Sequence, residues 1–343
     1  MTSPRPIAID LFSGAGGVTQ GLRDAGFEVR AAIEIDPASI ATYRLNHIDV
    51  EIIDRDIRMV TPAELMTRAD IVPGQVELLT ACAPCQGFSS LNTRRRQDEA
   101  RDDLVLNVLR FVEALQPKAV VFENVPRLQR DWRFHAFVDG LRDLGYGVNY
   151  QVVDAADYGV PQRRRRLLAI ARAGISDDAV TLPIPFDVDQ RTDVATAFVG
   201  LPPLDEEPLH HDRAYPPLVM QRIQAIPKDG GSRFDLPAQL QLACHGKLPR
   251  RNATASYGRM WWHRPAPTIT SKCTVPACGR FLHPEQDRVV TLREAARLQS
   301  FGTPDQEYRF DLSYGRGAVA SQIGNAVPVG LAATIGLHIG RNL

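Results

Sequence analysis

Short apolar runs separated by helical segments dominate the first half of the chain, and this pattern restricts the fold more than any other feature. The runs PIAIDLF, EVRAAIE, QVELLTAC and KAVVFEN have the length and composition of buried strands. Between QVELLTAC and KAVVFEN, one face of a predicted helix carries the apolar residues Leu104, Val108, Phe111 and Leu115. GVNYQVVD and RLLAIAR add a closing pair of strands. We therefore predict an α/β fold with a doubly wound, mostly parallel sheet.

Beyond this sheet the chain becomes rich in proline and weakly periodic, as in TLPIPFDVDQ and HRPAPTITSK. A helix returns at TLREAARLQSF, where Thr291 and Glu294 fit a capping box. The apolar stretch VPVGLAATIGLHI predicts a last helix with Pro328 in its first turn. We therefore expect a second, smaller and irregular domain. The predicted boundaries are residues 1–173 plus 318–343 for the sheet domain and residues 174–317 for the second domain and its hinge.

Composition adds restrictions on class and location. A length of 343 residues suffices for two domains, and the odd number of five cysteines argues against a secreted disulfide framework. We expect a reducing, cytoplasmic location. No apolar run approaches the roughly 18 residues of a membrane span, and MTSPRPIAIDLF lacks the layout of a signal peptide. Basic and acidic residues number 40 each, so affinity for a polyanion must come from a local patch.

The segment from Leu236 to Pro284 is such a patch, because it contains basic and aromatic residues but no Asp or Glu. This composition suits a phosphate backbone and bases, although a solvated basic face around a tryptophan pair would look the same. The basic residues are Lys247, Arg250, Arg251, Arg259, Arg264, Lys272 and Arg280, and the aromatic ones are Tyr257, Trp261, Trp262 and Phe281.

A glycine-rich turn follows the first strand. Gly14, Gly16 and Gly17 allow a ligand to approach the backbone closely, and Glu34 at the end of the second strand is placed to accept hydrogen bonds from ribose hydroxyls. The pattern is not G-x-G-x-x-G and no Lys-Ser/Thr follows, which excludes a P-loop. The turn favours an adenosine cofactor and leaves NAD and S-adenosylmethionine open. By itself, such an element is more often a tight turn with structural glycines.

Two cysteines stand in the segment TACAPCQGFSS. Cys85 lies past a strand end in a proline-glycine loop and is the candidate nucleophile, whereas Cys82 continues the strand and is expected to pack as a small hydrophobe. A thioredoxin-like pair is a rival, but that motif opens a helix and here a long polar loop follows. A zinc site with Cys273 and Cys278 is a weaker rival, because their C-x4-C spacing has no histidine pattern nearby, so no metal is predicted.

Polar residues also stand at further strand ends. Glu123 and Asn124 follow an apolar run, where we expect them in the same crevice as Cys85, although Glu123 could simply pair with an arginine. Gln162 and the run Arg163–Arg166 precede the last strand. Because side chains alternate along a strand, two of these arginines at most reach any one site, and a charge run is usually a solvated edge.

These motifs together resemble the C5-cytosine DNA methyltransferases. DLFSGAGG is similar to the family's cofactor motif, APCQGFS to its nucleophile loop, FENV to its Glu-Asn-Val motif and QRRRR to its Gln-x-Arg-x-Arg element. RVVTLREAARLQSFGTPD and QIGNAVPV resemble the last two motifs, and all six occur in the family's order. The resemblance implies a class I S-adenosylmethionine-dependent methyltransferase fold with a catalytic domain and a target-recognition domain.

The resemblance also implies a reaction, the transfer of a methyl group from S-adenosylmethionine to carbon 5 of a flipped-out cytosine in a specific DNA sequence. Cys85 would add to carbon 6, and Glu123 would hold, and protonate or hydrogen-bond, ring nitrogen 3. Arg164 and Arg166 match the two family arginines, with Arg164 expected to contact the base, and Asn124 would order the loop.

On the cofactor side, the resemblance implies Phe12 against the adenine, Glu34 on the ribose and Asp56 near the adenine amino group. Relatives often carry a large aromatic residue after the acidic one, whereas Ile35 stands here. The remaining implied cofactor-binding residues are Gly14, Gly16, Gly17, Pro84 and Asn325.

Double-stranded DNA is the implied partner, with no membrane association, and we expect a monomer on DNA. The resemblance is to the bacterial type of the family, which includes the modification enzymes of restriction-modification systems. A cognate restriction endonuclease is therefore left open as a functional partner. The family's transfer-RNA branch is the alternative, but its late Cys-Phe-Thr motif is not supplied by SKCTVPAC, so DNA is favoured. A dinucleotide-dependent oxidoreductase would share the glycine turn but needs neither Pro84-Cys85-Gln86 nor Glu123. The sequence does not reveal the recognition sequence.

Overall fold

The computed structural model describes residues 4–84, 104–246 and 254–343. The chain divides into two compact units. The first unit consists of Met1–Tyr158, Arg165–Pro185 and Ala326–Leu343, and the second consists of Gly159–Arg164 and Phe186–Asn325.

Within the described residues, a seven-stranded sheet forms the centre of the first unit. Its strands are β1 (Ile7–Leu11), β2 (Glu28–Ile33), β3 (Glu51–Ile53), β4 (Leu78–Ala81), β5 (Ala119–Asn124), β6 (Tyr146–Asp154) and β7 (Arg165–Ala173). They lie in the order β3-β2-β1-β4-β5-β7-β6. The first five strands in this order pair in parallel, whereas β7 runs antiparallel to both β5 and β6. The predicted α/β fold with a mostly parallel sheet is confirmed.

The helices are α1 (Gly17–Asp24), α2 (Pro37–Asn46), α3 (Pro62–Ala69), α4 (Leu104–Leu115), α5 (Trp132–Asp143), α6 (Val194–Ala197), α7 (Pro217–Ala225), α8 (Ala243–Gly246), α9 (Leu292–Leu298), α10 (Arg316–Asn325) and α11 (Val329–Asn342). Short 3-10 helices lie at Ile57–Met59, Pro126–Arg130, Ala155–Tyr158, Asp177–Ala179, Val188–Gln190, Arg233–Asp235, Ala238–Leu240 and Pro276–Cys278.

Local sequence explains several helix ends. The Asp36 side chain accepts a hydrogen bond from Ser39 N at 2.9 Å and caps α2, and Pro37 is the first residue of the helix. Thr291 and Glu294 form the predicted capping box of α9. Pro328, which was expected inside the last helix, instead directly precedes α11 as its N-cap residue.

Helix α11 is part of the first unit and packs against α1. At Gly21 in α1, an added Cβ would lie 2.5 Å from the carbonyl oxygen of Val329, so the glycine permits the close approach of the two helices. The stretch Arg316–Asn342, which spans α10 and α11, is apolar enough to cross a bilayer by length and composition alone. Of its most apolar window, 56% is buried inside the protein, which is the behaviour of core helices.

The boundaries of the compact units differ from the predicted domain boundaries at three segments. The stretch after β7 stays with the first unit, because the Val180 carbonyl accepts a hydrogen bond from Asn149 Nδ2 of β6. The second unit has its own small apolar core, which includes Ile223, Tyr257 and Leu282. The recognition role of the second unit stays a prediction. The segments that differ are residues 159–164, 174–185 and 318–325.

Candidate active site

The glycine turn between β1 and α1 has left-handed backbone at three positions. Gly14 has φ +55° and Gly16 has φ +93°, values that glycine adopts without a steric cost. Phe12 also lies in this region, with φ +62°, which is uncommon for a residue with a side chain and is characteristic of functional turns. Gly17 begins α1 and is buried. The turn is therefore held in one defined conformation.

Glu34 fixes this turn from the end of β2. One carboxylate oxygen accepts a hydrogen bond from Gly14 N at 2.7 Å, and the other accepts from Ile35 N and Asp36 N at 2.8 Å each. Three backbone donors thus orient the carboxylate that was predicted to bind the ribose. Ile35, beside it, is 59% exposed.

A fully buried carboxylate lies near the end of β1. Asp10 is 0% exposed and accepts hydrogen bonds from the hydroxyls of Thr19 at 2.8 Å and Thr80 at 2.9 Å. The Thr19 hydroxyl also contacts the Tyr43 hydroxyl at 2.9 Å. Burial raises the pKa of Asp10 to about 6, although the hydrogen bonds from Thr19 and Thr80 oppose the shift. This group was not singled out in the sequence.

Two further residues of the first unit, Asp56 and Pro84, were predicted to contact the cofactor. Asp56 caps the 3-10 helix Ile57–Met59 by accepting from Arg58 N at 2.9 Å, and the hydrogen bond from the Arg58 side chain lowers the pKa of Asp56. Pro84 is exposed.

The cysteine segment is described only in part. Cys85, the predicted nucleophile, lies outside the described residues. Cys82 is half-buried just past β4, and burial together with the charges of Glu123 and Asp10 raises the pKa of its thiol. A thiol with a raised pKa is a poor nucleophile, in accordance with the packing role predicted for Cys82.

Glu123 and Asn124 end β5, the neighbour of β4. The Arg166 Nε atom lies 2.9 Å from Glu123 Oε1, and both side chains are largely buried. Asn124 is 4% exposed and donates from Nδ2 to the carbonyl of Ala83 at 2.9 Å, while its Oδ1 accepts from Val125 N at 2.8 Å. The end of β5 thus holds the chain that leads into Pro84 and Cys85.

Arg164 and Asn325 belong to the second unit. Arg164 is 2% exposed, and its two terminal nitrogens donate to the carbonyls of Ile269 and Gly324 at 3.0 Å each. Asn325 is exposed at the end of α10. Arg163 and Arg165 are exposed, whereas Arg164 is buried and Arg166 is half-buried, and β7 begins only at Arg165.

Gln162 supports this part of the second unit, although no separate role was predicted for it. It is fully buried, accepts from Ile269 N at 2.9 Å, and donates to the carbonyl of Leu298 at 3.1 Å and to Gln299 Oε1 at 2.9 Å. Its position two residues before Arg164 in QRRRR is the signal that could have indicated a supporting role.

The basic residues of the segment Leu236–Pro284 divide into two groups. Arg259 is fully buried and donates to the carbonyls of His283 and Ile223, and Arg280 donates to the carbonyl of Gly230. These two guanidinium groups hold loops together. The others that the structure describes, Arg264 and Lys272, are exposed, and Lys247, Arg250 and Arg251 lie outside the described residues.

Metal-binding groups are absent from the described part of the chain, where no three His, Cys, Asp or Glu side chains cluster suitably. Cys273 is buried and Cys278 is exposed.

Comparisons with known proteins show the family of this chain. The model of the C-5 cytosine-specific DNA methylase family matches residues 7–341. The Type II methylase M.HgiDII of Herpetosiphon aurantiacus is 36% identical over 349 residues, covering 98% of this chain and 95% of that protein. The Type II methyltransferase M.XorII of Xanthomonas oryzae pv. oryzae is 33% identical, covering 99% of this chain and 85% of that protein.

Solved structures show the same fold. A DNA modification methyltransferase encoded within an E. coli prophage superposes with a TM-score of 0.74 at 24% identity, covering 98% of this chain and 99% of that one. The methyltransferase EhMeth of Entamoeba histolytica gives a TM-score of 0.67 at 14% identity, covering 99% of each chain. Since the family match extends over almost the whole sequence, the chain belongs to the C-5 cytosine-specific DNA methylases and is a DNA cytosine-5 methyltransferase of the Type II restriction-modification kind.

Proposed function

We propose that the enzyme methylates carbon 5 of a flipped-out cytosine in double-stranded DNA with S-adenosylmethionine, through a covalent adduct between Cys85 and the base. The observation that carries this proposal is the end of β5, where Asn124 binds the carbonyl of Ala83 and Glu123 presents a buried carboxylate. A carboxylate and the chain that leads to a cysteine are thereby held at adjacent strand ends.

The chemistry requires these residue types. Carbon 5 of cytosine is a weak nucleophile, and addition of the Cys85 thiolate at carbon 6 supplies the electron pair that makes it reactive. Glu123, oriented by Arg166, would hydrogen-bond or protonate ring nitrogen 3 as charge develops there. A base then removes the carbon 5 proton, the ring double bond re-forms, and Cys85 leaves as a thiolate. Arg164 is proposed to contact the base.

The first unit fits an adenosine cofactor that carries positive charge. The cofactor supplies an electrophilic methyl group when bound. The glycine turn with Gly14 and Gly16 leaves its backbone accessible, and the Glu34 carboxylate is already oriented for ribose hydroxyls. Asp10 adds a fully buried carboxylate in β1, the strand that leads into this turn. The other proposed cofactor contacts are Phe12, Gly17, Asp56, Pro84 and Asn325.

We also propose how the enzyme works in the cell. It would act as a monomer in the cytoplasm, beside a restriction endonuclease of the same recognition sequence. The second unit would read the DNA sequence, with the exposed Arg264 and Lys272 as candidate phosphate contacts.

Methyl transfer and base mapping test the proposal. The purified protein is incubated with labelled S-adenosylmethionine and either unmethylated genomic DNA or transfer RNA, and bisulfite sequencing then locates the methylated base. We expect label in DNA cytosines. Cys85→Ala should abolish methyl transfer while DNA binding survives. The matched control Cys82→Ala should retain methyl transfer. Undiminished transfer by Cys85→Ala, or label in transfer RNA alone, would refute the proposal.

A further inference from the structure

A group of exposed residues directly follows β5. Arg127 and Arg130 belong to the 3-10 helix Pro126–Arg130, and Trp132 is the first residue of α5. We call these three residues the β5 patch. Trp132 is 64% exposed, although a tryptophan side chain contributes most to stability when its large apolar surface is buried. An exposed indole beside two arginines is a combination that suits a nucleic-acid strand.

The β5 patch carries positive charge that faces solvent. Among the residues that the structure describes, neither Arg127 nor Arg130 has a side-chain ion pair or hydrogen bond. The nearby acid, Asp131, is paired with Arg133 instead, with 2.6 Å between Oδ1 and Nε, and the hydrogen bond from Arg133 lowers the pKa of Asp131. Two guanidinium groups therefore stay available to an anion.

Buried contacts fix the β5 patch to the sheet. Leu128, between the two arginines in sequence, is fully buried. Because a 3-10 helix turns once every three residues, Arg127 and Arg130 project from the same side, one turn or about 6 Å apart along the axis. Helix α5 is held against β5 by Phe137 and Phe122, whose ring centroids lie 4.8 Å apart. The two arginines are thus presented by a rigid support.

Position along the chain connects the β5 patch with the proposed reaction. Glu123 and Asn124 are the last residues of β5, and the Cα atom of Arg127 can lie at most about 11 Å from that of Asn124, because only three residues separate them. A cytosine that reaches Glu123 stays joined to its sugar and phosphates. Its strand must therefore pass over the surface beside the end of β5, where Arg127 and Arg130 lie.

We propose that the β5 patch is a contact surface of the first unit for the sugar–phosphate backbone of substrate DNA, independent of base sequence. Arg127 and Arg130 bind phosphates, and the indole of Trp132 packs against a deoxyribose. This inference rests on the proposed methylation of a flipped-out cytosine. It adds a grip on the strand by the same unit that contains Glu123.

Salt-dependent binding to DNA tests the two arginines in the full chain. The variants are Arg127→Gln and Arg130→Gln, made singly and together. The matched control is Arg5→Gln, which removes an exposed arginine at the amino end of β1, the edge of the parallel strands opposite to Glu123. Fluorescence anisotropy gives the dissociation constant at several salt concentrations for a duplex with the mapped target sequence and for one without it.

Each substitution should remove one phosphate contact. We expect the slope of log Kd against log salt to fall by about 0.9 for each arginine and by about 1.8 for both. The decrease should be equal for the two duplexes, since phosphates carry no sequence information. Arg5→Gln should leave the slope unchanged.

Fluorescence tests Trp132, one of the three tryptophans of the chain. The emission that Trp132→Phe lacks belongs to Trp132, and duplex DNA should reduce this component of the wild-type emission. Trp132→Ala should raise the dissociation constant about fivefold for both duplexes, because the strand loses an apolar contact.

An unchanged salt slope in the double arginine variant, or a loss of binding confined to the target duplex, would overturn the inference. Loss of Trp132 emission as the protein concentration rises without DNA would assign the β5 patch to a second copy of the chain and would also overturn it. Failure of the wild-type protein to methylate DNA would instead refute the proposed function.

Discussion

Removing the charge of Asp10 should stabilise the ligand-free enzyme. Burial raises the pKa of Asp10 from 3.8 to about 6, so the folded protein binds this proton more tightly than the unfolded chain does. For an acid shifted in this direction, the folded state loses stability as the pH rises from about 4 through 6. At about 1.4 kcal/mol for each tenfold change in the protonation equilibrium, the ionised group costs about 3 kcal/mol at neutral pH.

Asp10→Asn should therefore increase the free energy of unfolding by as much as about 3 kcal/mol at pH 7.5, where the wild-type carboxyl is ionised. The amide can exchange hydrogen bonds with Thr19 and Thr80, because their hydroxyls both donate and accept. The advantage should shrink below pH 5, since wild-type Asp10 is then protonated.

Urea-induced unfolding, followed by circular dichroism without cofactor at several pH values, measures this difference. Asp49→Asn is the control of opposite sign, because the hydrogen bond from Arg23 lowers the pKa of that exposed group. A variant that is less stable than wild type at pH 7.5, or a difference that does not change with pH, would refute the reasoning.

Three further substitutions test other contacts. Gly324→Ala places a Cβ 2.1 Å from a backbone nitrogen and should cost about 3 kcal/mol, whereas Gly317→Ala, in an open part of the same helix among the described residues, should be neutral or gain about 0.5–1 kcal/mol; equal urea midpoints would contradict this. Glu294→Gln breaks a buried ion pair with Arg288 and should lower the free energy of unfolding by about 3–5 kcal/mol. The double variant Glu294→Gln/Arg288→Met should recover most of this loss, because no unpaired charge then stays buried. Failure of the double variant to recover stability would exclude an uncompensated charge as the cause. Asn124→Ala should lower the single-turnover methylation rate at least about tenfold with DNA binding unchanged, because the segment before the proposed nucleophile loses its hydrogen bond; an unaltered rate would remove this ordering role.

Local patterns predicted most of the sheet, and their failures have physical reasons. β1, β2, β4 and β5 are apolar runs buried on both faces, which periodicity detects. β3 escaped because it has only three residues, and its pairing with β2 rather than its composition makes it a strand. The antiparallel insertion of β7 between β5 and β6 depends on tertiary pairing that no local pattern encodes.

The predictions for Glu34 and Glu123 rest on residue type and position at strand ends, and the roles of both residues stay predictions. The hydrogen-bond partners of these side chains could not be predicted. The hydrogen bond from Gly14 N to Glu34, for example, joins two residues that come close only because the turn folds as it does. Arg259 shows the limit of composition, because a basic residue in a basic segment is in fact fully buried. Asp10 was missed because an acid within a strand gives no signal of its burial.

The most direct test of the central claim is the capture of the reaction's covalent adduct. A synthetic duplex with 5-fluorocytosine at the methylated position, incubated with S-adenosylmethionine, blocks the loss of the carbon 5 substituent that would release the enzyme. Peptide mass spectrometry should find the base and its new methyl group attached through Cys85. Attachment at another residue, or no attachment to a duplex whose unfluorinated form is methylated, would contradict the account.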